Sequence, residues 1–222
     1  MMMSLDEAIK ARRSVRGFLP DEVPEETIRE VFALAQYAPS NCNIQPWISH
    51  VVSGASLRAL GDKMVNAAQS GIPPDPDFTA DRKFRGVYRD RQIDAAVQLY
   101  SAMGIERHDT VRRNAAYLRN LSFFDAPHAV FVFLFGEFEE REAVDLGIYV
   151  QTLMLAMTSR GIANVAQGAL SLYPTIIRDH LGLGPDNRLI YGISFGYEDE
   201  DVDANKARVG REALDAAITF HR

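Results

Sequence analysis

The stretch APSNCNIQPW, residues 38–47, places a polar run between two prolines where a predicted helix gives way to a predicted strand. Upstream, residues 24–38 begin with a proline and acids and then repeat apolar side chains at helical spacing until Pro39 ends the helix. That buried stripe consists of Ile28, Val31, Phe32 and Ala35. Downstream, WISHVV is β-branched and alternating, as in a strand. The intervening loop, with Ser40, Asn41, Asn43 and Gln45, must therefore keep a fixed shape.

A second stretch, RRSVRGF at residues 12–18, gathers three arginines on an acidic chain. It follows SLDE, in which Ser4 and Glu7 match a capping box, so a short helix is predicted to run to about Arg12. Taken alone, the arginines are typical of a basic helix end that complements the helix dipole. The alternative is a binding site for an anionic cofactor.

Composition restricts the class of protein. The 222 residues carry a formal net charge of −6, with a pI of about 5.4, which argues against nucleic acid or membrane surfaces as partners. The single cysteine, Cys42, forbids an intrachain disulfide and favours a reducing compartment, so we expect a cytoplasmic protein. Both Cys42 and Trp47 are predicted to be packing residues rather than residues that carry chemistry.

The sequence lacks the common catalytic motifs. It has no P-loop and no GxSxG elbow, and its histidines show no metal-ligand spacing, so no metal site is expected. GLG at 182–184 follows a predicted helix and is interpreted as its C-terminal cap rather than as a dinucleotide fingerprint.

The remaining pattern predicts one α+β domain over residues 1–222, a mixed central sheet between layers of helices. A loop is expected at 71–78 and a helical region at 81–119. HAVFVFLF is apolar on both faces, as a central strand should be. Further helices are predicted at 55–69, 141–160 and 174–183, and further strands at 162–166 and 189–196.

The order of these motifs resembles the nitroreductase family of FMN-dependent oxidoreductases. The family's R-x-S-x-[RK] turn matches residues 12–16, and its P-S-x-x-N-x-Q-P-W loop matches residues 39–47. A glycine-bearing strand, GISFGY, and a Lys-x-Arg at Lys206–Arg208 complete the match near the end of the chain. The resemblance implies a three-layer nitroreductase-like fold with FMN as cofactor and NAD(P)H as co-substrate.

The resemblance also assigns residues. It implies that Arg12, Lys206 and Arg208 bind the FMN phosphate, that Arg13 and Ser14 support the phosphate and ribityl chain, and that Arg16 lies near flavin N1 and O2. The backbone of AQGAL, especially Gln167 or Gly168 after Ala166, is expected near flavin N5, where hydride arrives; an ordinary strand-to-helix loop is the alternative. Pro39, Ser40, Asn41, Asn43 and Gln45 are expected to reach the flavin from a neighbouring subunit.

The implied assembly is a homodimer with sites at the interface and a C-terminal tail, about 205–222, wrapped around the partner. The implied reaction is ping-pong hydride transfer from NAD(P)H, through the flavin, to nitroaromatic, quinone or related acceptors. A reductive dehalogenase, an enone reductase, a flavin-fragmenting enzyme and a non-catalytic flavin-binding module remain alternatives.

Residues 71–125 are predicted to form a variable lid or substrate region. Within it, residues 81–119 hold nine Lys/Arg against five Asp/Glu. That excess suggests that Tyr88, Arg89 and Arg91 face an anionic acceptor such as a nitrobenzoate. A solvated lid and, far less favourably, a nucleic-acid surface are the other readings.

Overall fold

The computed structural model describes residues 3–79 and 83–222, which contain seven α-helices and four strands. The helices are α1 Leu5–Ala11, α2 Glu25–Ala35, α3 Gly54–Gln69, α4 Val87–Ala102, α5 Thr110–Leu121, α6 Glu140–Thr158 and α7 Pro174–Leu181. The strands are β1 Trp47–Ser53, β2 His128–Phe135, β3 Ala163–Gln167 and β4 Asn187–Gly196.

The four strands form one sheet in the order β1-β2-β4-β3, and each neighbouring pair is antiparallel. The expectation of a mixed sheet is therefore corrected. Its physical reason lies in α6, which does connect two strands of the same direction, β2 and β3. Because β4 inserts between them, the parallel strands are not neighbours. One isolated parallel bridge, Ser14 to Asn164, extends the sheet beyond β3.

Two hydrophobic clusters cover the two faces of this sheet. Because side chains alternate along a strand, β2 sends Phe131 and Phe133 to one face and Val130 and Val132 to the other. The first face packs against α3, α5 and α7, and the second against α2 and α6. The three-layer α+β arrangement expected from the sequence is confirmed.

Local signals placed most elements correctly. The Ser4–Glu7 capping box forms at the start of α1, and Gly182, with a φ of 68°, ends α7 in the left-handed conformation. β2 is buried along its length except at Phe135, as an apolar central strand should be. Phe32, expected in the buried stripe of α2, is only partly buried.

The basic region at 81–119 forms two helices, α4 and α5, joined by a turn. Asp81 and Arg82, whose opposite charges are both included in the charge count of this region, lie outside the described residues, as does Ala80. α4 buries none of its residues in the single chain and exposes Val87, Tyr88, Ile93 and Val97. Across residues 3–79 and 83–222, no helix combines the length and apolar character that crossing a membrane requires.

Candidate flavin site

The two ends of the chain meet beside β3 and β4. Residues 17–19 pair with residues 197–199: the Leu19 N–H donates to the Tyr197 carbonyl at 2.9 Å, and the Asp199 N–H donates to the Gly17 carbonyl at 3.1 Å. Gly17 is required there because a Cβ would lie 2.6 Å from the Val202 side chain. The arginine turn and the Lys206–Arg208 segment, 190 residues apart in sequence, are therefore neighbours.

Hydrogen bonds hold the arginines of both segments in place. Arg13 forms an ion pair with Glu198 and also donates to the Asn205 carbonyl at 3.1 Å. Arg208 donates to the same carbonyl at 2.7 Å. The expected convergence of cations from both ends of the polypeptide is thus present in the fold.

Two of these cations are desolvated without a neutralising acid. Burial lowers the pKa of Arg12, and the nearby Arg211 lowers it further. Burial alone lowers the pKa of Arg16, whose only side-chain hydrogen bond among the described residues is to the Ser14 carbonyl at 3.3 Å. No ion pair within the described residues involves Arg12, Arg16, Arg208 or Arg211. Uncompensated positive charge of this kind favours binding of an anion.

Lys206 differs from these arginines. Its ammonium pairs with Asp203 at 2.7 Å, and this hydrogen bond raises the Lys206 pKa. The lysine expected at the phosphate therefore already has an exposed acidic partner in the chain.

The edge of the sheet continues the site. β3 is an edge strand, and only its Asn164 is bridged to the arginine turn, through the Val15 N–H at 3.2 Å. Beyond that bridge, Ala166 and Gly168 are exposed, while the Gln167 side chain points inward and donates to the Asn120 carbonyl at 2.9 Å. A Cβ on Gly168 would meet nothing within 4 Å, so space is open beside its backbone.

Two cavities flank this edge and share Tyr117 of α5. A cavity of about 80 Å³ contains Arg16 and Asn120, and one of about 830 Å³ contains Gly168 and Tyr191. Burial, with Tyr173 nearby, raises the pKa of Tyr117, so its phenol stays neutral over the physiological range. Together these two cavities form what we call the crevice. Arg16 lines its cationic end, Tyr117 lies between the cavities, and Gly168 lines the other end.

The polar loop after α2 has a strained and specific shape. Cys42, Asn43 and Gln45 adopt positive φ angles of 48°, 57° and 49°. Two hydrogen bonds fix the loop: Gln45 N–H to Ser40 Oγ at 2.9 Å, and Asn41 N–H to Asp145 Oδ2 on α6 at 3.0 Å. Residues 41–45, together with Pro39, remain exposed in the single chain.

Two neighbouring expectations have different outcomes. Trp47 is a packing residue as predicted, stacked on Tyr149 with ring centroids 4.7 Å apart. Cys42 is not: its thiol is exposed at the apex of the strained loop.

The suggested anion-binding residues of α4 are exposed and partly occupied. Arg91 pairs with Glu212 of the tail at 3.1 Å and lies 5.8 Å from the Tyr88 ring centroid. Arg89 donates to Gln92 at 2.6 Å. Within one chain, these side chains do not line the crevice beside Gly168.

Comparison with known proteins agrees with the geometry. The model of the nitroreductase family matches residues 9–197, which include the arginine turn, the polar loop and the whole sheet. The chain belongs to the nitroreductase family.

Curated relatives and solved structures resemble this family member along almost its whole length. Nitroreductase NfnB of Mycolicibacterium smegmatis is 43% identical over 223 residues, covering 100% of this chain and 94% of that protein. A 4-nitrobenzoate reductase of Nocardioides is 31% identical, covering 98% and 90%. The crystal structure of the FMN-dependent NfnB from Mycobacterium smegmatis in complex with NADPH superposes with a TM-score of 0.94, at 44% identity, covering 98% and 97%.

Sequence reasoning missed several residues that shape this site. Asn205, directly before the Lys-x-Arg, is buried and bonded to both chain ends. Asp145, a buried acid beside the apolar stripe of α6, accepts a hydrogen bond from the polar loop. An acidic residue next to an apolar stripe was the only feature of the sequence that could have indicated this role. Arg211, Glu198 and Tyr117 had no distinguishing pattern, because only the fold brings Arg211 near Arg12, pairs Glu198 with Arg13 and places Tyr117 in both cavities.

Proposed function

We propose that this protein is an FMN-dependent oxidoreductase that uses NAD(P)H to reduce nitroaromatic, quinone or related acceptors. The observation that carries the proposal is the set of unneutralised guanidinium groups beside the open edge of β3. Family membership and near-complete superposition on an FMN-dependent, NADPH-bound nitroreductase support it.

The residues present fit the cofactor. The FMN phosphate is a dianion, and Arg12 and Arg208 supply positive charge that no acid in the described chain neutralises. Arg16, which likewise has no acidic partner in the described chain, is assigned to flavin N1 and O2. Arg13 supports the site through its ion pair with Glu198. The backbone of Ser14 forms an isolated parallel bridge with Asn164 at the edge of β3. Lys206 contributes to phosphate binding only if its ion pair with Asp203 breaks or if the two side chains move together.

The chain also offers a place for the isoalloxazine ring. When bound, FMN supplies two-electron transfer between NAD(P)H and the acceptor. Ala166 and Gly168 are exposed and Gly168 lines the larger cavity, while the Gln167 side chain is fixed inside by Asn120 and Ser194. The contact with flavin N5 that is assigned to Gln167 and Gly168 therefore involves their backbone groups. Among the site residues, Arg16 is the cation that lines the neighbouring cavity.

We further propose that the working molecule is a homodimer. The polar loop bonds to Asp145 near the start of α6, whereas Arg12 and Arg13 share a cleft with Thr158 at its end. At 1.5 Å per residue, those two points are about 20 Å apart along the helix. Because the two motifs lie at opposite ends of α6, we assign Ser40, Asn41, Asn43 and Gln45 to the flavin of a second copy.

Exposed apolar side chains support the same assembly. The tail leaves Val209, Leu214, Ile218 and Phe220 in solvent, and α4 has no buried face of its own. A partner subunit that covers the tail and α4 would bury apolar surface that a monomer exposes to solvent. We assign the tail at 205–222 to this interface and the region at about 71–125 to a variable lid over the substrate, within one domain spanning residues 1–222.

The acceptor is proposed from the lid. Tyr88, Arg89 and Arg91 are exposed on α4, where a partner's crevice would place them over an acceptor, and one relative is a 4-nitrobenzoate reductase. The rate comparison is kcat/KM for 4-nitrobenzoate against uncharged nitrobenzene, in wild type and in Arg89→Gln. We expect the variant to lose the preference for the anion; equal values in the wild type would remove this assignment.

The cytoplasm is the proposed compartment. An exposed free thiol at Cys42 persists most readily where the medium is reducing.

The decisive experiment is a visible spectrum followed by turnover. Purified protein should absorb near about 450 nm, lose that band anaerobically with NADPH or NADH, and regain it with nitrofurazone or menadione. Yellow protein that never oxidises NAD(P)H would instead be a flavin-binding module. Protein that stays colourless after incubation with FMN would refute the proposal.

A further inference from the structure

Asn205 is a buried side-chain amide that joins the two ends of the chain. Its exposed fraction is 3%. Its Oδ1 accepts the Arg16 N–H at 2.6 Å, and its Nδ2 donates to the carbonyls of Gly17 and Asp199, each at 2.8 Å. The side chain therefore fixes the backbone of the arginine turn against the C-terminal segment.

The backbone of the same residue holds two guanidinium groups. Its carbonyl accepts from Arg13 at 3.1 Å and from Arg208 at 2.7 Å. One residue thus sets both the path of the turn that carries Arg12 and Arg16 and the direction of Arg208. A shift of Asn205 would move these cations relative to one another.

A different side chain cannot make the same bonds. Alanine would leave the Arg16 N–H without its buried acceptor, and aspartate lacks the two donors that reach Gly17 and Asp199. Since Gly17 and Val202 are in close contact, the turn has no room to move closer and restore them.

We propose that Asn205 is a positioning residue for the flavin phosphate: it fixes Arg208 and the turn that carries Arg12 in the arrangement in which these two guanidinium groups meet a single phosphate. This inference rests on the proposed function. It assigns Asn205 no contact with the cofactor, only the placement of the groups that make it.

Riboflavin separates this role from a purely structural one, because it shares the ring and ribityl chain of FMN but lacks the phosphate. A residue that places phosphate-binding arginines affects FMN alone. A residue that only keeps the crevice intact affects both flavins equally.

The test titrates apoprotein with FMN and with riboflavin, following flavin fluorescence, in wild type, Asn205→Ala and Asn187→Ala. Asn187 is a matched control: its amide also bonds a carbonyl, that of Gly184, and it begins β4 while the arginine turn lies beyond the other end, about 30 Å away. Asn205→Gln, which keeps an amide in the buried slot, serves if the alanine variant does not fold.

We expect the FMN Kd of Asn205→Ala to rise roughly tenfold to a hundredfold, as weakening one or two charge-assisted hydrogen bonds implies. Its riboflavin Kd should stay within about twofold of wild type, and Asn187→Ala should change neither. Equal losses for both flavins, or no loss for FMN, would overturn the inference while leaving the proposed function standing. A wild-type protein that binds neither flavin would instead overturn the proposed function.

Discussion

Single side chains at the site carry charge that the protein itself leaves uncompensated. Arg12 is half-buried next to Arg211, and burial combined with like charge lowers its pKa. Such a residue weakens the empty fold slightly and strengthens binding of an anion. Stability and cofactor affinity should therefore respond to its removal in opposite directions.

Arg12→Gln should lower FMN affinity about tenfold or more, since a charge-assisted contact to phosphate is lost. The apoprotein should unfold at the same temperature as wild type or slightly higher, because the repulsion from Arg211 is gone. Isothermal titration and thermal unfolding measure the two quantities.

Arg29→Gln is the matched control for that substitution. Its exposed pair with Glu25 on α2, at 2.6 Å, is worth at most about 0.5 kcal/mol, and FMN affinity should not change. An Arg12 variant with normal FMN affinity and a less stable apoprotein would show that the residue is structural.

His128 holds the segment that joins the arginine turn to α2. Its Nε2 accepts the Val23 N–H at 2.9 Å, its Nδ1 lies 2.6 Å from Ser53 Oγ, and its ring stacks on Phe195. Nε2 can accept only in the neutral ring, so Nδ1 carries the proton and donates to Ser53. Burial lowers the His128 pKa from its ordinary 6.5, and the Glu22 carboxylate opposes this in part.

Because the folded-state pKa lies below the unfolded one, the unfolded chain binds the proton first as pH falls. The contribution of His128 to stability is therefore complete above pH 6.5 and declines as pH falls from 6.5 toward the folded pKa. Wild type should lose stability between about pH 7.5 and about pH 5.5 in urea unfolding.

His128→Gln should be less stable than wild type at about pH 7.5, but its stability should fall by a smaller amount between about pH 7.5 and about pH 5.5. Burial also lowers the pKa of His50 and His180, so part of the wild-type slope will remain. His221→Gln, on the exposed tail, should behave as wild type. An unchanged slope in His128→Gln would exclude this residue as the source.

Among the elements, the loop at 39–47 is, with residues 123–125, one of two segments of the described chain in which non-glycine residues adopt positive φ angles. Three of its non-glycine residues have positive φ, and each costs on the order of 1 kcal/mol, a cost that packing within one chain does not explain because the loop is exposed. Strain of this kind is retained where it shapes a contact. We assign this strain to the proposed contact of the loop with a second copy.

Gln45→Gly should raise the stability of the apoprotein by up to about 1 kcal/mol, because glycine adopts a φ of 49° without steric cost. FMN affinity should fall, since the side chain assigned to the flavin is removed. Ile44→Gly is the control: at a φ of −73°, glycine gains nothing and should destabilise the protein. Chemical denaturation ranks the three proteins, and a destabilised Gln45→Gly would contradict the strain argument.

For the whole molecule, α6 separates the two motifs of the proposed flavin site. It holds the polar loop at one end and the arginine turn at the other. If each flavin takes its arginines from one chain and its loop from another, defects in the two motifs should complement each other.

Arg12→Gln and Asn43→Ala should each bind FMN poorly alone. Mixed after dissociation and reassociation, they should recover about a quarter of wild-type sites, since about half the dimers are mixed and each has one intact site. Light scattering should give twice the chain mass of 24.8 kDa. No recovery on mixing, or a flavin-bound monomer, would place the whole site within one chain.

The sequence by itself determined the elements and most of the chemistry. Apolar periodicity located α2, α3, α6 and β2, and the capping box located α1, because such signals depend on neighbours a few residues away. The spaced motifs indicated the flavin family for the same reason: they are local and stand in a fixed order.

The tertiary structure alone decided what long-range contact controls. It inserted β4 between β2 and β3, so the sheet has no parallel neighbours, and it brought residues 12–16 against residue 205. It also paired Lys206 with Asp203, exposed Cys42 and left Arg12 facing Arg211. These outcomes depend on which distant side chains share a cleft, and the charge or apolar character of a residue does not specify its distant neighbours.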